Sequence, residues 1–312
     1  MITITKKGAN DETLVELKEI VKGSWINLTN PSKEEVEYVA NKIHISKDLI
    51  LAALDENEKP RFEKEKDVLI IFRVPNVSGP LGKEIETIPI GIIITHPINY
   101  IVTVSLKETE VMKDFYNLTV GNFYTTMRTR FLIQILSRIN TYFMKYLEKI
   151  EDEIDRAEAS LMQSMRNKDI MTLFEYQKTM IYFNRAIMAN GLVLDSILKG
   201  KVVMLFQDDE DLLDDIIIEN QQSLEMTATY YNVLSNTITA YSSLVSNNLN
   251  SVMKLLTSIT IILSIPTIIS SIYGMNVFLP LQNSPLAFTY TLLVSLILTV
   301  VVAIIFIKKR FL

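Results

Sequence analysis

The sequence predicts an α/β cytosolic domain, then a long helical stalk, then two C-terminal transmembrane helices. Three observations carry this. Leu255 to Asn276 is nearly free of charge and, at roughly 20 residues, is long enough to cross a bilayer core. A second apolar run, Leu286 to Ile307, follows a short loop and ends at Lys308-Lys309-Arg310. Upstream, no Pro or Gly interrupts the chain between Asp208 and Pro266, so one helix can run from the soluble part into the membrane.

In chain order, residues 1–120 read as the α/β domain. Branched, apolar runs at Ile2–Thr5, Val68–Val74, Ile88–Thr95 and Tyr100–Val104 suit buried strands. Asn30 is the expected N-cap of a helix opening at Pro31, and Ser46-Lys47-Asp48 opens another. Asn76 to Gly82 is expected as a loop. Trp25 is expected as a core anchor before the first helix, and His44 and His96, which have no ligand-spaced partner, as structural residues.

Residues 121–207 read as an antiparallel helical hairpin. Phe143, Leu147, Ile150, Ile154, Ala157 and Leu161 recur at spacings of three and four; Leu173, Tyr176, Met180, Phe183 and Ile187, continued by Leu194 and Ile197, make a second seam. Arg166 to Asp169 is the turn between them, and Gly200 ends the pair. Residues 208–276 form the stalk, continuing into transmembrane helix 1 at about 255–273. A helix of this length, about 97 Å at 1.5 Å per residue, exceeds a single globular core, and its packing is assigned to copies of itself. Residues 277–285 are then an external loop, 286–307 transmembrane helix 2, and 308–312 a basic cytosolic tail.

Composition narrows the function. The chain has 312 residues, 48% hydrophobic and 21% charged, which suits one soluble domain joined to a membrane element. It has no Cys, which excludes disulfides and thiolate metal sites, and two His, which disfavours a dedicated zinc site. The first residues, MITITKKGANDE, hold no apolar stretch of the kind a secretory signal needs, so none is expected. No nucleotide loop, His-based site or nucleophile with a base stands out, so no enzyme is expected.

The net charge of −5 divides into +4 from Ser251 onward, where there is no acid, and −9 before it. An acidic domain joined to a membrane hairpin argues against nucleic acid as a partner. It suits either simple solubility or the handling of cations. Lys254 precedes the first apolar run, the Lys308–Arg310 cluster follows the second, and the loop between has no charge. That pattern predicts a multi-pass protein of the cell membrane with both termini in the cytoplasm.

Three polar constellations stand out. Asn250, Met253, Thr257, Thr260, Ser264, Thr267 and Ser271 lie on one helical face at alternating spacings of three and four. In lipid such a stripe packs against other helices or lines water. A membrane-anchored coiled-coil sensor without a pore would need no such line. On the first hairpin helix, Glu148, Glu151, Asp152, Glu153, Asp155 and Glu158 form either a solvated face or a cation-concentrating belt. Asp208, Asp209, Glu210, Asp211, Asp214 and Asp215 open the stalk, where they complement the helix dipole or sense a divalent ion between subunits.

The polar stripe ends at Tyr273-Gly274-Met275-Asn276. A Gly-Met-Asn loop at the end of the first of two terminal membrane helices, with Tyr before it and a basic end after the second, resembles the CorA family of magnesium transporters. The resemblance extends over the whole chain and is strongest after about Leu147. It implies a CorA-like homopentamer in membrane lipid that takes up hydrated Mg2+ and is closed by cytosolic Mg2+. Divalent metal ions are then both cargo and regulator. It implies a selectivity filter at Tyr273, Gly274, Met275 and Asn276. Mg2+ sheds water reluctantly, so a ring of Asn276 carbonyls would accept hydrogen bonds from the ion's own waters. Gly274 would let the backbone leave the helix, and Tyr273 would brace the turn.

The same resemblance puts Asn250, Met253 and Thr267 at pore-lining positions and Leu256 at a hydrophobic constriction, alongside Thr257, Thr260, Ser264 and Ser271 of the stripe. The family's stalk aspartate falls at or beside Asp215, with Asp214 adjacent and Asp208 and Asp211 as weaker candidates for a regulatory Mg2+ site. Its partner acid in relatives is Ala52 here, and Asp55, one turn further on, is the expected substitute. Relatives also carry an acid past Gly-Met-Asn; Val277 to Pro285 has none, so no outer funnel of negative charge is expected. A Co2+, Ni2+ or Zn2+ transporter of the same fold is the alternative within the class.

Overall fold

The computed structural model describes residues 1–9, 11, 13–78, 84–97, 100–164, 167–280, 284–309 and 311. It divides into two compact units, Met1–Asn236 and Thr237–Leu312.

The first unit is built on a seven-stranded sheet. Its strands are β1 (Ile2–Lys6), β2 (Val15–Glu16), β3 (Trp25–Thr29), β4 (Arg61–Lys64), β5 (Val68–Ser78), β6 (Glu84–Ile94) and β7 (Ile101–Ser105), in the order β2-β1-β3-β7-β6-β5-β4. β3 and β7 run parallel; the other pairs are antiparallel. Alternate side chains face opposite sides of the sheet. One side, with Ile26, Leu28, Ile71, Ile93 and Val104, packs on α1 (Lys33–Ile43) and α2 (Lys47–Ala52). Gly91 belongs there because an added Cβ would stand 2.4 Å from the Cβ of Ala53.

Trp25 lies on the other side, fully buried, as expected of a core anchor, but on a strand. It stacks on Tyr116 of α3 (Glu110–Tyr116) and meets Phe115 and Phe131 edge-on. Its indole N–H donates to Thr103 Oγ1 at 2.8 Å, and that hydroxyl donates to Asn27 Oδ1 at 2.7 Å.

Several local expectations are corrected. Asn30 does not cap α1; it sits at φ 42, and Ser32 is the cap. Ser32 and Glu35 form a reciprocal capping box, which satisfies two free N–H groups where Asn30 would satisfy one. The expected loop at Asn76 begins later, because β5 stays paired with β6 through Ser78; Gly79 to Gly82 lie outside the described residues. His44 caps the end of α1 in the left-handed region.

Two long helices cover the sheet next to Trp25: α4 (Arg128–Ser164) and α5 (Asn167–Leu198). Phe143, Leu147, Ile150 and Ile154 are buried with Met180, Phe183 and Ile187, and the rings of Phe143 and Phe183 meet edge-on at 5.1 Å. Asn167 to Asp169 already belong to α5 rather than to a turn; Arg166 and the Leu161 side chain lie outside the described residues. Gly200, at φ 68, follows the end of α5. Asn190 docks α5 on β5: its Oδ1 accepts from Arg73 N–H at 2.9 Å and its Nδ2 donates to Arg73 O at 2.8 Å.

The next helix, α6, runs unbroken from Gln207 to Tyr273 with Pro266 inside it. Its length predicts packing against other copies; up to Leu234 its own chain supplies cover. Leu213, Ile216, Asn220, Thr227 and Leu234 are buried. Three amides tie the contact: Asn140 Nδ2 donates to Ile216 O (2.7 Å), Asn220 Nδ2 to Ile187 O (3.1 Å) and Asn184 Nδ2 to Thr227 Oγ1 (2.9 Å).

The second unit holds the remainder of α6 and α7 (Ala287–Lys308). Both helices are long and apolar enough to cross a membrane. Leu281 to Asn283 of the connecting loop, and Arg310 and Leu312 of the tail, lie outside the described residues.

Candidate functional site

Within the second unit, the two sides of α6 differ. Ser258, Ile262, Ile265 and Ile269 form its buried and half-buried line. At about 100° per residue, the polar stripe lies about 150° round the helix from that line. Asn250, Met253, Leu256, Thr257, Thr260, Thr267 and Ser271 are exposed, and Ser264 is half-buried. α7 therefore leaves the stripe uncovered. The line α7 half-buries is its own Ala287, Thr291, Ser295, Thr299 and Ala303, small residues four apart.

Three stripe hydroxyls donate to their own helix: Thr260 to Leu256 O at 2.8 Å, Ser264 to Thr260 O at 2.7 Å and Thr267 to Leu263 O at 3.2 Å. Each bond uses the hydroxyl's one donor and leaves lone pairs on its oxygen. The stripe thus presents acceptors. Pro266, which has no N–H, also frees the carbonyl of Ile262 from its usual helix bond.

At the end of α6, Gly274 N–H bonds to Ser270 O (2.9 Å) and Ser271 O (3.2 Å), and Met275 N–H bonds to Ile272 O (3.2 Å). The helix ends at Gly274 as expected, without a left-handed residue there; among the described glycines, Gly23 and Gly200 have positive φ. A Cβ on Gly274 would instead stand 3.3 Å from Ser270 O, so the residue gives room against the last carbonyls. Tyr273, Gly274 and Met275 border a cleft of about 520 Å³ with Pro266, Ile269 and Ala287, and Asn276 stands exposed just beyond.

In the first unit, the start of α6 is sorted by charge partner. Asp209 is buried and pairs with Arg130 at 3.1 Å. Asp208, Asp211, Asp214 and Asp215 are exposed on the opposite face. Burial, then Asp215, raises the carboxyl of Glu219 above its usual range. Asp55 lies one hydrogen-bonded turn past Ala52, beyond the end of α2: its N–H bonds to Ala52 O at 3.4 Å and its Oδ1 accepts from Asn57 N–H at 3.0 Å.

Carboxylate oxygens suit Mg2+ chemically. Among the described residues, however, no three His, Asp or Glu converge to hold a metal within one chain. An ion at Asp214 and Asp215 would need water or a second copy for its remaining ligands. On α4, Glu148, Glu151, Asp152 and Asp155 are exposed and Glu153 and Glu158 half-buried. Tyr230 of α6 sits against this belt. Burial, then its hydrogen bond to Glu151, pushes its phenol well above the usual range.

Three comparisons with known proteins bear on these features. The family model described as CorA-like Mg2+ transporter protein matches residues 22–310. The chain is 28% identical to the cobalt/magnesium transport protein CorA of Methanocaldococcus jannaschii, over 97% of this chain and 96% of that protein. It is 24% identical to the protein of the same name from Thermotoga maritima, over 98% of this chain and 88% of that one. The complete structure of the CorA magnesium transporter from Methanocaldococcus jannaschii superposes with a TM-score of 0.88 at 26% identity, covering 100% of this chain and 99% of the other. The full-length CmaX protein, at 15% identity and a TM-score of 0.74, shares the fold, covering 99% and 97% of the two chains.

Proposed function

The chain belongs to the CorA family, and on that premise we propose that copies of it, five by the family resemblance, carry Mg2+ across a membrane through a pore lined by the α6 stripe. One observation carries the reading: the polar stripe is left uncovered by the chain's own α7 and runs to Tyr273-Gly274-Met275-Asn276. A polar face in hydrocarbon needs protein or water against it. A ring of α6 helices provides both.

The chemistry follows from the acceptors. Thr260, Ser264 and Thr267 offer hydroxyl oxygens, and Asn276 a carbonyl, to the hydrogens of an ion's water shell. No carboxylate lies from Ser251 onward, so the ion keeps its waters. Leu256 forms the apolar narrowing towards the other end of the stripe, where Met253 also lines the pore. The lysines flanking the two apolar runs set both termini in the cytoplasm. Cytosolic Mg2+ closes the pore by offsetting repulsion among Asp214, Asp215 and the acids of a neighbouring copy, with Asp55 a further contributor. A like-charge pair ~6 Å apart costs about 3 kcal/mol at an effective dielectric of ~20. Repeated round a ring, this exceeds the ~5.5 kcal/mol that a near-complete two-state shift needs. Co2+ is the second cargo to weigh, because the Methanocaldococcus jannaschii and Thermotoga maritima relatives are named cobalt/magnesium transport proteins.

The test is flux in liposomes carrying the purified chain, with Mg2+ against Co2+, Ni2+ and Zn2+. The chain has no Cys, so Thr267→Cys and Ile268→Cys each introduce the single thiol. A small hydrophilic thiol reagent is expected to block Mg2+ flux through the Thr267→Cys protein and to leave the Ile268→Cys protein conducting. Equal block of both, or absence of divalent flux in the wild type, overturns the reading.

A further inference from the structure

The C-terminal end of the chain folds back onto α6. Lys309 N–H bonds to Ile305 O at 3.0 Å and Phe311 N–H to Phe306 O at 2.9 Å, which turns the chain just past α7. The Phe311 ring stacks on Phe306, with centroids 5.8 Å apart and planes 23° apart. Two residues of α6 complete the contact. The single Ser258 hydroxyl proton is shared between Lys254 O at 2.8 Å and Phe311 O at 3.3 Å, and Lys254 Nζ lies 5.8 Å from the centre of the Phe311 ring.

This contact is the most enclosed point of the second unit. Among the described residues from Ser242 onward, Ser258 alone is buried, at 1% exposure. At the other end, the α6–α7 face is loosely filled, with the cleft of about 520 Å³ beside Tyr273. Ser258 also directly follows Thr257 and stands two residues from Leu256. A rotation of α6 at Leu256 would strain the Ser258–Phe311 contact and shift Lys254 relative to the ring.

We propose that Phe311, acting through Ser258 and Lys254, is a positioning residue that sets the rotation of α6 at Leu256 and so how tightly the closed pore shuts. The proposal rests on the reading of Leu256 as the constriction. Loss of the clasp frees rotation at that level and leaves Asn276, at the far end of the stripe, unaffected. The clasp therefore governs closure and not ion choice.

The experiment uses the full chain in liposomes and compares Mg2+ flux at low and high internal Mg2+. Phe311→Ala and Lys254→Met are each expected to raise the residual flux at high internal Mg2+ by about five-fold or more, the scale of a modest coupling between sites. The double variant should exceed neither single change, because both break one clasp. Phe311→Trp should restore closure, and the Mg2+-to-Co2+ flux ratio should stay at its wild-type value throughout. Independently of transport, Ser258→Cys combined with Phe311→Cys should join within one chain under a short thiol cross-linker. Failure to cross-link overturns the contact itself. A folded Phe311→Ala protein that closes like wild type, or a Phe311→Trp protein that does not, overturns its role. If the wild type carries no divalent ion while the cross-link forms, the transport reading has failed and this role falls with it, though the contact stands.

Discussion

Leu213 and Leu249 belong to the same helix and live in different surroundings. Leu213 is fully buried; Leu249 is 61% exposed. Over its first part α6 is covered by its own chain, through apolar packing and the amides of Asn140, Asn184 and Asn220. From Ser242 onward the chain leaves it almost bare. The first part has its hydrophobic stabilisation within one molecule; the second needs lipid or further copies to supply it. A helix pattern in sequence identifies a helix and says nothing about who covers it.

On the proposed function, transport depends on the bare end of α6 and stability on its covered end. The largest expected effect is on transport. Asn276→Leu should abolish Mg2+ uptake while leaving the first unit folded, and wild-type flux in that variant would break the distinction. Next comes stability, read through the fluorescence of Trp25, buried in the first unit. Leu213→Ala should cost about 2–5 kcal/mol in denaturant unfolding. Leu249→Ala, in dispersed single chains, should stay within about 0.5 kcal/mol. Equal losses would show that the two parts are held alike.

A third effect concerns the acids on the outer face of the covered part. If Mg2+ bridges them between copies, it should protect the α6 start from protease, by about 2.7 kcal/mol at a hundred-fold excess over its dissociation constant. Protection should vanish in Asp214→Asn/Asp215→Asn and weaken in Asp55→Asn. Full protection in the double variant would move the sensor elsewhere, first to the Glu148–Glu158 belt. The smallest effect is at Glu219, whose carboxyl is raised by burial and by Asp215. A raised carboxyl contributes stability below its unfolded range and loses it as pH climbs through the folded value. Glu219→Gln should therefore raise the melting temperature slightly at neutral pH and not in acid. A gain in acid would contradict the assignment.

Much of this was legible in the residues. β1, β5, β6 and β7 announce themselves as branched, apolar runs, and α6 as a long stretch without Gly or Pro. β2 (VE), β3 (WINLT) and β4 (RFEK) do not, because short or polar strands owe their state to the neighbours they pair with. The α1 cap was legible and misread: Ser32 with Glu35 three residues on outranks Asn30. The polar stripe was visible as spacing, and its Tyr-Gly-Met-Asn ending through the family resemblance. That α7 leaves the stripe bare depends on which residues of two helices meet. Asn140, Asn184 and Asn220 gave no signal, since single amides have no period. The Ser258–Phe311 bond joins residues 53 apart, beyond any local pattern.

β4 stops pairing at Arg61, opposite Ile71, yet β5 continues to Ser78. Beyond that point the strand has an open flank, and Asn190 takes both the N–H and the C=O of Arg73. An unfilled flank beside a hydrophobic sheet invites another molecule to add a strand of its own. If copies assemble as proposed, many such sheets come together at high local density. A single amide on α5 helps keep that gathering selective. Losing it should surface first as insoluble, β-rich protein.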